Sequence, residues 1–484
     1  MREPAVINAR ACALSVLVSC RRNGAWADAA LKAQLAKAAL SAQDAALCSR
    51  IVYGVMQNSL LLDWHLSACC TQKLEKLQPP LAEILRIGAY QILFLDKVPD
   101  HAAVSESVEL CRMSGRSAAS GLVNAVLRRV AQNKAHPPAL PQDALSRLSI
   151  AYSHPKWLVE RLIALLGVDQ TEQFLRIDNE AAPMTVQVNP LKTDADALVR
   201  ELAGNGVKAV PHGWVPDCFE LSGTGDLTTL SAFYQGRFTV QDAAAKLVTC
   251  AAGFVKGQSV LDVCAAPGGK SFAAAFAMEN EGRILACDLH EKKLKRIREG
   301  ARRLGITCMD TAAADGRVFR EEWAGQFDVV ICDVPCSGLG IIRKKPDIRY
   351  KDADELAALP EIQRAILSNS ARYVKAGGVL VYSTCTILPE ENEGMTDAFL
   401  ASHPDFSYED FTLPGGKTAA GHITLWPQRH GTDGFYLSRM RRRTNDGHQV
   451  NDAGGDHRSN ARGGGAVLSR KAGVCMAAPR SNGI

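Results

Sequence analysis

The first part of the chain carries apolar residues at spacings of three and four. "ALCSRIVYGVMQNSLLLDWHLSAC" and "LAEILRIGAYQILFLDKVP" follow this spacing with almost no strand-like alternation, as expected of helices that bury one face. Pro99 ends the second stretch, and "HAAVSESVEL" starts another helix. We therefore predict an all-α bundle over residues 5–135.

The hydrophobic pattern changes twice before the centre of the chain. "AHPPALPQDALSR" is rich in proline, so residues 136–150 are predicted to form a linker. Beyond it, "APMTVQVNPLK" and "GRFTVQDAAAKLV" place strand-like stretches beside helical ones. This combination predicts a small α+β segment over residues 151–240.

Strands and helices alternate regularly over residues 241–442. The strand-like stretches are "SVLDVCAA", "GRILACDL", "FDVVICDVP" and "VLVYSTC". Such alternation predicts an α/β, Rossmann-like domain with a doubly wound parallel sheet and a ligand site at the carboxyl ends of its strands. Residues 443–484 are rich in Gly, Asn and Arg and lack periodicity, so we predict a disordered tail there. The chain is thus expected to be multidomain.

Composition and charge narrow the possible partners. The net charge of +5 over 484 residues permits an acidic partner such as nucleic acid but does not require one. No apolar run reaches the roughly 18 residues of a membrane span, and the N-terminus resembles an amphipathic helix more than a signal peptide. We therefore expect a cytoplasmic protein without a membrane partner. The fifteen cysteines include no CxxC pair, which favours free thiols over a disulfide framework.

A glycine pair follows the first strand of the predicted sheet. In "LDVCAAPGGKS", Gly268 and Gly269 lie at the turn into the next helix. Glycines let a ligand approach the backbone, and the helix N-terminus offers free N–H groups. Neither phosphate-binding pattern, GxGxxG or GxxxxGK[ST], is present. Taken alone, this loop is also compatible with a purely structural tight turn.

Three aspartates follow successive strands of the same sheet. Asp288, Asp315 and Asp333 come after the second, third and fourth strands. One aspartate at a strand end is usually a cap or turn residue, but a carboxylate there can also accept the hydroxyls of a ribose. Three in register after a glycine-rich turn favour an adenosine-type ligand without a phosphate anchor. S-adenosylmethionine fits this description better than NAD or ATP.

Two cysteines follow the fourth and fifth strands, Cys336 in "DVPCSG" and Cys385 in "YSTCTILPEENE". A lone cysteine at a strand end is most often structural, and no further ligands complete a tetrahedral metal site. A redox pair would lack the usual spacing. The remaining possibility is nucleophilic chemistry.

Methylation of a pyrimidine at carbon 5 requires such chemistry, because carbon 5 alone is too weak a nucleophile. A thiolate that adds at carbon 6 makes the ring enamine-like, and carbon 5 can then attack the methyl group. The reaction needs a cysteine with a lowered pKa, an acid near the ring and a general base. Two cysteines and an aspartate on one rim of the sheet supply these groups.

Several motifs together resemble a known family. "DVCAAPGGKS", "DVPCSGLGIIRKKPDIRY" and "YSTCTILPEENE" are similar to those of the Nop/Sun-type RNA cytosine-5 methyltransferases, which use S-adenosylmethionine. "ILRIGAYQILFLDKVPDHAAVSESVEL" and "GLVNAVLRR" resemble a NusB-like RNA-binding domain. The combination, over residues 5–442, is similar to bacterial members that methylate 16S rRNA.

The resemblance implies transfer of a methyl group from S-adenosylmethionine to carbon 5 of a specific cytosine. The substrate would be 16S rRNA or a small-subunit precursor, the enzyme a monomer without a metal, and the residues 151–240 a further RNA-binding segment. Cys385 would be the nucleophile that bonds to carbon 6, Cys336 would assist product release, and Asp333 would lie beside the sulfonium and the target base.

The resemblance also assigns the cofactor site. Asp288 would bind the ribose, Asp315 the adenine, and Lys270 would support Asp333 or the base. The full set of cofactor-binding positions comprises Cys264, Ala265, Ala266, Pro267, Gly268, Gly269, Lys270, Asp288, Asp315 and Asp333. Val334 departs from the family, which usually has alanine at this position, and adds bulk next to the site.

Two other interpretations remain open. DNA cytosine-5 methyltransferases take their nucleophile from a Pro-Cys motif, which would exchange the roles of Cys336 and Cys385. Alternatively, the protein is an RNA-binding or antitermination-type protein with an inactive methyltransferase fold. The intact Gly-Gly-Lys, the aspartates and both cysteines argue against such decay.

Basic residues provide candidate RNA contacts. Arg343, Lys344 and Lys345 directly follow the Pro-Cys loop and are predicted to grip phosphates near the target. Arg128 and Arg129 are candidates for a positive face of the helical block.

Overall fold

The computed structural model describes residues 8–444. The predicted tail, 443–484, lies outside the described residues except for its first two positions. Within the described residues, no helix has the length and apolar character needed to cross a membrane.

The N-terminal part is the all-α bundle that the periodicity predicts. Its helices are α1 (Ala9–Asn23), α2 (Ala27–Lys37), α3 (Ala42–Gln57), α4 (Ser59–Cys69), α5 (Pro79–Phe94), α6 (Asp100–Met113) and α7 (Ser120–Gln132). Helix α5 is buried along most of its length and forms the centre of the bundle. Gly54 of α3 lets the two helices approach closely, because a Cβ there would lie 2.0 Å from the Tyr90 ring of α5.

Three helices precede the small sheet: α8 (Ala144–Tyr152), α9 (Lys156–Leu166) and α10 (Val168–Asp178). Helix α8 therefore begins inside the predicted linker, 136–150, which is wrong for its last seven residues. The reason is local: the Asp143 side chain accepts a 2.7 Å hydrogen bond from the Ser146 backbone N–H. Asp143 is thus the N-cap of a helix in a stretch whose prolines suggested a linker.

The α+β segment forms a four-stranded antiparallel sheet in the order β2-β3-β1-β4. Its elements are β1 (Met184–Val188), α11 (Ala195–Gly204), β2 (Lys208–Pro211), β3 (Cys218–Ser222), α12 (Ser231–Tyr234) and β4 (Phe238–Val240). Asn189 joins it to the next domain, since its side chain donates to the Gly236 and Leu304 carbonyls at 2.7 and 2.8 Å.

The C-terminal domain is a mixed sheet with helices on both faces. Its elements begin with α13 (Ala243–Ala252), β5 (Ser259–Asp262), α14 (Gly269–Ala277), β6 (Arg283–Asp288), α15 (Glu291–Leu304), β7 (Met309–Ala313) and β8 (Phe327–Asp333). They continue with α16 (Ala353–Leu356), α17 (Leu359–Tyr373), β9 (Val374–Thr384), α18 (Glu393–Ser402), β10 (Phe406–Tyr408), β11 (Phe411–Thr412), β12 (Thr418–Ala419), β13 (His422–Leu425), α19 (Pro427–His430) and β14 (Phe435–Arg442).

The strand order of this domain is β10-β14-β9-β8-β5-β6-β7, with β13 paired to β14. Strands β5 to β9 are parallel, and β14 is antiparallel to β9. The chain runs outward from β5 to β7 on one side and then returns to β8 on the other. The topological switch point therefore lies between β5 and β8, where doubly wound sheets bind their ligands.

Candidate functional site

The two candidate cysteines meet at the carboxyl ends of neighbouring parallel strands, β8 and β9. Their sulfur atoms lie 3.2 Å apart, and the backbone N–H of Cys385 also donates to the Cys336 sulfur at 3.3 Å. Both are free thiols with partly exposed side chains. The pairing register brings them together, because Asp333 stands opposite Ser383 just before the two strands end.

The two thiols differ in acidity. The hydrogen bond that Cys336 donates lowers the pKa of the Cys385 thiol below its ordinary value, and the cations of Lys270 and Lys345 act in the same direction. Burial and Asp333 act against them. Conversely, the pKa of Cys336 is raised well above its ordinary value, first by Cys385 and then by burial. Cys385 is therefore the better candidate for the thiolate, which is the nucleophilic form of the side chain.

A lysine–aspartate pair lies across the switch point. Lys270, in the first turn of α14, places its Nζ 2.7 Å from Asp333 Oδ2 at the end of β8. The Ser383 hydroxyl donates to the other carboxylate oxygen at 2.7 Å. Burial works against the lysine cation, but Asp333 outweighs it and raises the pKa of Lys270. The pair thus carries fixed charges beside the cysteines.

Buried polar residues hold the backbone on both sides of Cys336. Glu391 accepts hydrogen bonds from the Ser337 N–H at 2.9 Å and from the Gln363 amide at 2.7 Å. The same amide donates to the Pro335 carbonyl at 3.0 Å, and the Ser337 and Thr386 hydroxyls lie 2.6 Å apart. The sequence analysis gives Glu391 no role of its own, but its buried carboxylate orients the cysteine loop.

Two glycines let the two cysteine loops pack together. The Gly340 N–H donates to the Cys385 carbonyl at 3.0 Å, and the Gly434 N–H donates to the Gly340 carbonyl at 2.8 Å. A Cβ on Gly340 would lie 1.9 Å from the Gly434 carbonyl oxygen. Any side chain at Gly340 must therefore displace the backbone that positions Cys385.

Gly340→Ala is expected to destabilise the protein by about 1–3 kcal/mol, as overpacking does, and to reduce activity by more than this loss of folded protein explains. Urea unfolding and activity measured on the folded fraction test the prediction. Gly204→Ala is the matched control, because a Cβ there has nothing within 4 Å. Equal activity of the two folded variants would contradict the role of Gly340.

The loop between β5 and α14 forms a cradle with free polar groups. Gly268 adopts φ = 110°, and a Cβ there would lie 2.5 Å from the Phe272 ring. The Gln241 side chain is buried against Gly269, with no protein hydrogen-bond partner for its amide among the described residues. Asp262 Oδ1 is likewise buried without a partner. Such groups at a helix N-terminus fit a small polar ligand such as the amino-acid portion of S-adenosylmethionine.

The sequence had assigned no role to Gln241 or Asp262. Burial raises the pKa of Asp262 to about 7, and the Ser271 hydroxyl donates to Oδ2 at 2.6 Å. Buried polar atoms without partners are visible only in the folded chain. Cys264, the first residue of the glycine loop, is half-buried, and burial raises the pKa of its thiol well above the ordinary value. It therefore lines the loop as a neutral thiol.

The other predicted aspartates occupy different positions along the rim. Asp288 is the last residue of β6 and is 6% exposed; it accepts from the His290 N–H at 3.0 Å. Asp315 lies two residues beyond the end of β7 and forms a bidentate pair with Arg317, at 2.7 and 3.0 Å. That pairing lowers the pKa of Asp315. Both carboxylates lie on the same edge as the glycine loop.

The prediction that Arg343 and Lys344 grip phosphates is wrong. Arg343 binds Asp433 at 2.9 Å, and Lys344 binds Asp242 and Asp433, both at 2.6 Å. These cations instead hold the Cys336 loop against the strands around it. Lys345 is exposed, so its contact with a phosphate stays a prediction.

Three other residues that the sequence singles out lie outside the hydrogen-bond network around the two cysteines. Arg128 and Arg129 are exposed on α7. Val334 is 4% exposed and belongs to the hydrophobic cluster of the sheet with Leu367 and Tyr382. Its extra volume is thus accommodated in the core and not at the site.

Comparisons with known proteins agree with this arrangement. The family model described as 16S rRNA methyltransferase RsmB/F matches residues 253–441, that of the NusB family matches residues 7–132, and that of the RsmF/B-like ferredoxin-like domain matches residues 154–228. The crystal structure of PH0851 superimposes with a TM-score of 0.75 at 27% identity, covering 91% of this chain and all of that one.

Curated relatives extend over almost the whole chain. A probable ribosomal RNA small subunit methyltransferase B from Bacillus subtilis is 36% identical over 439 residues, which is 89% of this chain and 98% of the relative. The ribosomal RNA small subunit methyltransferase B of Vibrio cholerae is 34% identical, over 90% of this chain and 97% of the relative. The chain therefore belongs to the ribosomal RNA small subunit methyltransferase B family.

Proposed function

We propose that this protein transfers a methyl group from S-adenosylmethionine to carbon 5 of a specific cytosine in 16S rRNA through a covalent adduct with Cys385. The observation that carries the proposal is the contact between Cys385 and Cys336, 3.2 Å apart beside the Lys270–Asp333 pair. One thiol with a lowered pKa and one with a raised pKa match a nucleophile and a later proton acceptor.

The Cys385 thiolate forms a bond to carbon 6 of the cytosine, and the ring electrons shift toward N3 and carbon 5. Asp333, held by Lys270 and Ser383, lies where it can orient the ring. Carbon 5 then forms a bond to the methyl carbon as the S–CH₃ bond of the sulfonium breaks, leaving S-adenosylhomocysteine. Removal of the carbon 5 proton and cleavage of the Cys385–carbon 6 bond restore the aromatic ring and the thiolate.

Cys336 is suited to remove the carbon 5 proton because adduct formation changes its environment. The first cause of its raised pKa is Cys385. Once Cys385 is a neutral thioether, that cause disappears and the pKa of Cys336 falls, while burial, Glu391 and Asp333 still raise it. Cys336 that has lost its proton to solvent can then accept the proton from carbon 5. Cys385 therefore acts first, because it carries the negative charge before the reaction begins, and Cys336 acts second.

S-adenosylmethionine is the methyl donor. Residues 264–270 of the glycine loop, together with Gln241, would bind its amino-acid portion. Asp288 would accept hydrogen bonds from the ribose hydroxyls, and Asp315 would accept one from the adenine amino group. The target cytosine must be unpaired or flipped out to reach the cysteines. We propose that Arg128, Arg129 and the residues 151–240 contact the surrounding rRNA of a small-subunit precursor, and that the protein acts as a cytoplasmic monomer.

The direct test is nucleoside analysis of unmethylated small-subunit rRNA after incubation with the protein and labelled S-adenosylmethionine. We expect labelled 5-methylcytidine at one position and about one label per RNA at completion. An inactive protein on naked rRNA and on small-subunit particles would favour the RNA-binding interpretation. A label on any other nucleoside would contradict the proposed chemistry.

A further inference from the structure

A fully buried arginine lies where three parts of the chain meet. Arg349 follows Cys336 in the same loop and is 0% exposed. Its Nη1 donates to the carbonyls of Gln57, Tyr152 and Ser153 at 3.0, 3.3 and 3.2 Å. It also reaches the Asn179 side chain at 2.9 Å, and Nη2 approaches the Asp178 carbonyl at 3.4 Å.

These acceptors share one property: they lie at the carboxyl ends of three helices. Gln57 ends α3 of the N-terminal bundle, Tyr152 ends α8, and Asp178 ends α10. The last carbonyls of a helix lack intrahelical partners and carry partial negative charge. The buried Asp178 side chain also acts on Arg349 through its charge. The converging helix ends and Asp178 therefore balance this buried cation.

Neighbouring residues connect this cation to Cys336. The Tyr350 hydroxyl donates to the Met56 carbonyl of α3 at 2.6 Å, and Asp347 accepts from the first backbone N–H of α2, that of Ala27, at 3.1 Å. On the other side, Lys351 Nζ donates to the Ser337 carbonyl at 2.8 Å. The contact between Lys351 and Ser337 thus links the two ends of the loop, and the contacts of Tyr350 and Asp347 attach the loop to the N-terminal bundle.

Apolar packing holds the same loop. Leu339, Ile342 and Ile348 belong to one buried cluster together with residues of α8, α9 and α10, including Leu162 and Phe174. The Cys336 loop is therefore held from two sides. Within the methyltransferase domain, Gly340 contacts Gly434, and Arg343 and Lys344 pair with Asp433. Helices α8–α10 and the N-terminal bundle hold its other side, so its geometry also depends on elements that precede this domain in the chain.

We infer that Arg349 is a positioning residue for Cys336. Through Arg349, the N-terminal bundle and helices α8–α10 set the position of Cys336 for the product-release half of the reaction. The inference rests on the proposed function, because it assigns Cys336 to the second half of that reaction. A displacement of about 1 Å at a reacting group can cost about 10²-fold in rate. Cys385 directly follows β9, which is paired on both sides, with β8 and β14. Apart from its contact with Gly340, it therefore depends less on the loop, so adduct formation is expected to suffer less.

The test compares Arg349→Lys, Arg349→Met and Tyr350→Phe in the full chain. We measure turnover and KM for small-subunit rRNA, affinity for S-adenosylmethionine by calorimetry, and the fraction of protein held in a denaturant-resistant adduct with RNA. Arg349→Lys and Arg349→Met are expected to lower kcat by about 10- to 100-fold, to leave cofactor affinity within about twofold, and to accumulate adduct. Tyr350→Phe, which removes one hydrogen bond, should act in the same direction with a smaller loss.

Arg439→Lys is the control for an arginine that binds the carboxyl end of a helix, at a position that is less buried than Arg349 and also pairs with Glu409. Arg439 also binds the carboxyl end of a helix, donating to the Ala251 carbonyl of α13 at 2.8 Å, but it lies toward the amino ends of the parallel strands, away from the cysteines. It should change the melting temperature without adduct accumulation. Arg349 variants that behave like this control, or that lose cofactor affinity in parallel with kcat, would overturn the inference.

Cys336→Ala distinguishes failure of the inference from failure of the proposed function. If this variant forms no adduct, the proposed chemistry fails and the inference with it. If it forms adduct while folded Tyr350→Phe and Arg349→Lys do not, the proposed function stands and the positioning role of Arg349 is refuted.

Discussion

Replacement of Cys385 by alanine is expected to abolish methyl transfer to rRNA, with a loss on the order of 10⁴-fold or more, as for removal of a covalent nucleophile. The reason is that the carbon 6 adduct cannot form without the thiolate, and carbon 5 then has too little electron density to attack the sulfonium. Single-turnover assays with labelled S-adenosylmethionine measure the loss. Cofactor affinity should stay within about twofold, since the glycine loop is unchanged.

Cys336→Ala is expected to give the opposite pattern, a stalled enzyme that holds its RNA. The adduct forms and receives the methyl group, but the carbon 5 proton stays in place, so denaturing gels show a protein–RNA band. Loss of the hydrogen bond from Cys336 also raises the pKa of Cys385. The acid limb of adduct formation should therefore move to higher pH than in the wild type.

The matched control is Cys308→Ala, a partly exposed cysteine of the same domain that lies outside the cysteine pair. It should retain the activity of the wild type and form no stable adduct. A stable adduct in Cys385→Ala, with none in Cys336→Ala, would show that Cys336 attacks first and would overturn the assignment.

The second large effect is expected from the Lys270–Asp333 pair. Lys270→Met and Asp333→Asn should each lower the rate of methyl transfer by about 10²- to 10³-fold, the usual loss when a preorganised charged group is removed from an active site. Each variant also leaves the other partner without its 2.7 Å ion pair. Single-turnover rates measured across a pH series at saturating cofactor test the prediction.

The two variants should move the pH dependence in opposite directions. Lys270 lowers the pKa of Cys385, so its loss raises that pKa, and activity appears only at higher pH. Asp333 raises the pKa of Cys385, so its loss lowers that pKa, and the acid limb moves to lower pH. Shifts of the same sign in both variants would show that the pair does not act on Cys385 through its charges. Lys295→Met, at an exposed lysine of α15 that pairs with Glu299 of the same helix, is the control for loss of a cation.

Much of the fold could be predicted from local pattern. Helical periodicity identifies α3 and α5, and alternation of strands with helices identifies the parallel sheet, because both reflect which face of an element is buried. The family, the fold class and the methyl donor were also predicted correctly from the motifs. The linker was predicted too long because its prolines hide the start of α8, whose N-cap, Asp143, lies two residues after Pro141.

The candidate site was predicted less completely. Cys336 and Cys385 were singled out because each follows a strand, and parallel strands bring their carboxyl ends to one edge. Their 3.2 Å separation depends on the pairing of β8 with β9 across 49 residues of chain. Glu391 and Arg349 lie within the motifs that carry the family resemblance, but the roles proposed for them and for Gln241 could not be predicted, since burial and hydrogen bonding across distant segments define them.

The sequence by itself determined most of the elements, their order and the residues proposed to carry the chemistry, because these depend on interactions between near neighbours. Only the tertiary structure decided how the charges are used. Lys344 looks like a phosphate ligand in the sequence, but it lies between two carboxylates 89 and 102 residues away. Burial makes an unpaired cation costly, so the fold directs Lys344 and Arg349 to partners inside the protein, while the proposed nucleophile Cys385 stays partly exposed.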